Sequence, residues 1–208
     1  MRLGDTDRLE AFSDGVMAVI ITIMAFGVRP PTGASWASTH AVLPHLLVYA
    51  LSFVMIGIYW NNHHHLLRAT ERMDASVMWT NLLLLFWLSL VPVVTGWVGR
   101  FPDHALPAAT YGVVALGAAI AYWILVQRII KANGDDSVVA RAIGRDVKGT
   151  ISAALYFAGI LLSLVTPIAS YVAYVIVSII WVVPDRRFST VEETTAGAPE
   201  HNPGEREP

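Results

Sequence analysis

Three stretches of this chain lack any charged side chain between their ends: Asp74 to Arg100, Asp103 to Arg128, and Lys148 to Asp185. Apolar runs of roughly 20 residues are what an α-helix needs to cross a hydrocarbon core of ~30 Å. A helix satisfies its own backbone groups there, as an open strand cannot. Charged residues make up 14% of the chain against about 25% for a soluble domain, which excludes an ordinary soluble fold. The chain reads as an all-α polytopic membrane protein.

The polar punctuation divides residues 1–184 into six transmembrane helices. The first is expected at 8–28, where Pro30-Pro31 stop it, the second at 42–67 and the third at 76–98, with Pro92 as a kink. The fourth is expected at 105–130. Gly149 to Pro184 holds 36 uncharged residues. One helix of that length would measure about 54 Å, far beyond the bilayer core. Two short or tilted helices at 149–166 and 167–184, broken at Pro167, are therefore expected. Residues 185–208 are rich in Glu, Thr, Pro and Gly and read as a disordered cytoplasmic tail.

Basic residues favour the cytoplasmic side. With the N-terminus inside, twelve of the 14 Lys and Arg residues are cytoplasmic and only Arg29 and Arg100 lie outside. Both termini are expected in the cytoplasm. No cleavable leader is expected, because the first apolar run carries Asp14 and ends in Arg29-Pro30-Pro31. There is no cysteine, so thiol chemistry and Cys-based metal sites are excluded. The scattered basic residues offer no nucleic-acid surface. No internal repeat is present, so any axial pore must be built by several identical chains.

Ser13 and Asp14 interrupt the first apolar helix. A charge at the centre of a span costs about 2.5–3.5 kcal/mol and usually faces a partner or water. Arg8 lies six positions earlier, hence about 120° around the helix, and pairs poorly with Asp14. Depth along the helices supplies other partners. Asn61 to His65 fall at the cytoplasmic end of the second helix, and Asn81 lies about two turns into the third. A buried polar network clamping these helices together is the simplest use of that slab. The run His63-His64-His65 raises a metal site, but consecutive helical residues point 100° apart and cannot converge on one ion. A zinc site would have to recruit Asp14 or Glu71. A proton- or metal-coupled transporter using Asp14 and His63, His64 and His65 is the alternative reading. A hydrolase built on Ser13 lacks the G-x-S-x-G elbow.

Val19, Ile23 and Phe26 are spaced i, i+4, i+7, within about 60° on one face of the first helix. Phe12 and Gly15 continue this stripe, and Thr22 borders it. Lipid-facing surfaces are apolar too, so the stripe alone is equally packing or lipid contact. Ringed around an axis, such side chains can gate ions by dewetting.

Arg8-Leu9-Glu10-Ala11-Phe12-Ser13-Asp14 reads as R-x-x-x-F-S-D, which resembles the signature of the transmembrane protein 175 family. Trp60 with His63, then Asp74, Asn81-Leu82 and Pro92, is similar to the pattern of that family's second and third helices. The resemblance covers about residues 8–92. It implies a potassium-permeable cation channel in a bacterial plasma membrane, assembled as a homotetramer with four first helices around the pore. It also implies a pore constriction at Val19, Ile23 and Phe26, cation preference at Thr22, and a structural clamp of Arg8, Phe12, Ser13 and Asp14 with Trp60, His63 and Asn81. Val19 is smaller than the isoleucine typical of the innermost position, and Phe26 is larger than the usual leucine. K+ as permeant ion, membrane lipid and other copies of the chain are the implied partners, with no cofactor. The T-V-G-Y-G filter of voltage-gated potassium channels is absent.

Overall fold

The computed structural model describes residues 3–143 and 146–182. The expected tail, 185–208, and the last residues of the sixth expected helix lie outside them. Eight helices occur among the described residues: α1 (Leu3–Gly27), α2 (Trp36–Arg68), α3 (Ala75–Ser89), α4 (Val91–Arg100), α5 (Ala105–Asn133), α6 (Val138–Ile143), α7 (Val147–Ser163) and α8 (Pro167–Val182). Four spans are long and apolar enough to cross a membrane, the third being α3 and α4 together; α7 and α8 are shorter apolar helices.

Local chemistry sets the boundaries. α2 starts at Trp36, earlier than hydropathy alone suggests, because Ser35 and Ser38 form a reciprocal capping box. Its 33 residues make it about 50 Å long, and Pro44 is tolerated near its start. Asp74 caps α3 by accepting from the Val77 N–H at 2.9 Å. The third span breaks at Leu90, two residues before Pro92, which has no N–H to continue the ladder. α5 ends at Gly134, whose φ of 97° suits glycine. α7 and α8, of 17 and 16 residues, are each about 25 Å long and meet in a tight turn before Pro167.

α5 is the packing hub, touching α3, α4, α7 and α8. Its buried face includes the small residues Ala108, Ala115, Ala118 and Ala121, which let neighbouring backbones come close. Gly117 is filled by the ring of Trp87, and Gly112 and Gly159 by Tyr174. Tyr174 stacks on Tyr111 at 5.5 Å and donates to the Ala108 carbonyl at 3.1 Å. A second polar knot ties α2, α4 and α5: Ser52 Oγ lies 2.7 Å from Thr95 Oγ1 and 3.1 Å from the Tyr111 hydroxyl.

Candidate functional site

α1 packs against α2, α3 and α4 through one face only. Ser13, Met17, Ile20 and Met24 are spaced at helical intervals and are all buried. The other side carries Val19 (56% exposed), Ile23 (56%) and Phe26 (85%) in a row. Phe12, Gly15, Val19 and Ile23 form one wall of an open groove of about 590 Å³, whose other wall is Ser89, Pro92 and Val93 at the break in the third span. Thr22 is exposed beside the row, its hydroxyl donating to the Ala18 carbonyl at 2.9 Å.

The buried face holds a directed chain of hydrogen bonds. Ser13 Oγ donates to the Leu9 carbonyl at 2.8 Å, so its lone pair accepts from Asn81 Nδ2 at 2.9 Å. Asn81 thereby presents Oδ1 to His63 Nε2 at 2.7 Å, and that nitrogen must carry the proton. All three side chains are fully buried. In the neutral ring with that tautomer Nδ1 is an acceptor, and it is buried with no hydrogen-bond partner among the described residues. One contact from each of α1, α2 and α3 thus fixes how α1 is rotated about its own axis.

Asp14 does not join this chain; its Oδ1 is buried and has no hydrogen bond among the described residues. Instead the donor atoms of Asp14, Glu10 and His64 all lie within 4.8 Å of one another. His64 Nδ1 approaches Glu10 Oε1 to 2.7 Å, a close contact without hydrogen-bond geometry, and Arg68 Nε lies 3.8 Å from the same oxygen. Trp60 stacks on His64 with centroids 5.9 Å apart and is itself half exposed, and His65 meets His64 edge-on. Arg8 and Phe12 are on the surface. The three consecutive histidines therefore go to different neighbours. Glu10 was not among the residues expected at this site. Its signal was its position one helical turn before Asp14, on the same face.

Over 180 residues the chain is 47% identical to a potassium channel of Chryseobacterium sp. (strain P1-3), an alignment covering 86% of this chain and 94% of that one. The chain belongs to the TMEM175 family. Residues 8–92 match the family described as endosomal/lysosomal potassium channel TMEM175, the stretch that carries Ser13, His63 and Asn81. A potassium channel of Streptomyces collinus is 34% identical over 131 residues, 59% of this chain and 64% of its own length. The fold is similar to the crystal structure of a lysosomal potassium-selective channel TMEM175 homolog from Chamaesiphon minutus, with a TM-score of 0.78 and 26% identity over 88% of this chain and 98% of that one. The protein is therefore a multi-pass membrane protein of a family of channels, not of enzymes.

Proposed function

We propose that four copies of this chain form a potassium-permeable channel, with α1 of each copy facing a shared axis. The observation that carries the reading is the bare row of Val19, Ile23 and Phe26, opposite a face held in fixed rotation by the Ser13–Asn81–His63 chain. Apolar rings narrow a pore and resist wetting, so an ion passes by shedding part of its hydration shell. Thr22 hydroxyls at the edge of the row supply oxygen in partial replacement. The names of the bacterial relatives support potassium as the permeant ion and a bacterial plasma membrane as the location. The distribution of basic residues supports cytoplasmic termini.

The test is ion flux in liposomes holding the purified protein. Ile23→Asn widens and wets the constriction, and sodium leak rises relative to potassium flux. Unchanged fluxes of both ions would remove α1 from the conduction path. The gathering of Glu10, Asp14 and His64 favours a second reading, transport coupled to protons or a metal ion. Saturable, gradient-driven uptake that vanishes in His64→Ala or His63→Ala selects that reading; passive flux surviving both selects the channel.

A further inference from the structure

A cavity of about 270 Å³ lies within the single chain between α2, α5, α7 and α8, with no residue of α1 in its walls. Rings of Tyr59, Tyr122, Trp123, Tyr156 and Trp181 line it, and Asp146 is the one formally charged residue among the described residues of its lining. Asp146 caps α7, one oxygen accepting from the Gly149 N–H at 2.8 Å. Trp123 and Ile120 are half exposed on the outside of the chain, so the cavity opens on the surface that a bilayer covers.

Tyr111, Tyr122, Tyr171 and Tyr174 each hydrogen-bond to another residue of the chain. Tyr59 and Tyr156 also line the cavity, and neither hydroxyl bonds to another described residue. Hydroxyls that open onto a cavity are free to accept from the donors of a guest. Trp181 has its N–H tied to Ser152 Oγ at 2.7 Å, and Lys148 Nζ stands 5.9 Å from its ring centroid, so its π-face already attracts a cation.

We propose that this cavity binds an amphipathic organic monocation, a primary ammonium on an apolar body of about ten non-hydrogen atoms, a size suited to the lower end of ligand-pocket volumes. The aromatic walls and the Asp146 carboxylate both favour positive charge, and they repel an anion. A primary ammonium has three N–H donors for the carboxylate and phenol oxygens, whereas a purely apolar guest leaves them unmet. The site is internal to one chain, so the proposal stands whatever the assembly around α1.

Isothermal titration of the full-length protein in detergent with 3-phenylpropylammonium, and with 3-phenylpropan-1-ol as its neutral counterpart, tests this. One ammonium per chain binds saturably, and the alcohol binds at least about tenfold more weakly. Asp146→Asn keeps a competent helix cap; it weakens the ammonium about tenfold and leaves the alcohol within about twofold. Tyr156→Phe keeps the ring and weakens the ammonium several-fold without lowering the melting temperature. Ala153→Trp fills the space and abolishes binding of both. Equal binding of amine and alcohol, indifference to Asp146→Asn, binding that survives Ala153→Trp, or no saturable amine binding would each overturn the proposal.

Discussion

The two faces of α1 are built on opposite principles. Inward, Ser13 bonds to Asn81 and Asn81 to His63 in a chain of fixed direction, flanked by Met17, Ile20 and Met24. Outward, Val19, Ile23 and Phe26 touch little of their own chain. A hydrogen-bonded face fixes rotation, because slipping by one residue turns each side chain by 100° and breaks every bond. A bare apolar face fixes nothing, but is carried wherever the other face points it. The helix separates aiming from contact with whatever lies outside the chain.

That division is open to attack by substitution. Asn81→Leu removes both interhelical bonds and strands the His63 N–H, and lowers stability by about 2–4 kcal/mol. The melting temperature of the purified protein in detergent reports it; a loss below that of a surface substitution breaks the comparison. Ser13→Ala leaves Asn81 Nδ2 unsatisfied while sparing the His63 contact, for about 1–3 kcal/mol by the same measurement. Asp74→Ala removes the cap of the helix that carries Asn81, for about 1 kcal/mol near neutral pH. The Ser76 hydroxyl and then the Val77 N–H hold the Asp74 carboxyl below the usual carboxylate range. A depressed folded pKa gives stability that is present at neutral pH and lost as pH falls through that value, so the gap between wild type and Asp74→Ala closes in acid. Phe26→Ala, on the bare face, changes stability by less than about 0.5 kcal/mol. Its effect belongs to ion flux, and a large stability loss would show that Phe26 packs within the chain.

Much of this architecture was legible in the sequence because a bilayer imposes simple arithmetic. Charge-free runs mark spans, and counting residues from each interface puts Asp14, Asn61 to His65 and Asn81 at one depth, the slab in which Ser13, Asn81 and His63 are joined. Depth, however, says nothing about rotation. That Asn81 reaches Ser13 while Asp14 lies beside Glu10 and His64 depends on how α1 and α2 are turned toward each other, and periodicity in lipid-facing helices is blurred since every side is apolar. The start of α2 at Trp36 was hidden for a different reason: hydropathy ignores the Ser35–Ser38 capping box. Short α6 sits inside a polar segment with no span-sized pattern to mark it. The aromatic cavity draws its walls from four helices, and no single window of sequence contains it.

The interruption at Leu90 divides the third span into two rods with different companions. The rod bearing Asn81 lies mainly along α5, whereas the rod after Pro92 lies against α2, α5 and α1. An unbroken helix would act as a lever, tilting at one end whenever pushed at the other. Were α1 and α2 to shift near Phe26, the break at Leu90 would let the half after it follow while the Ser13–Asn81–His63 contacts stayed seated.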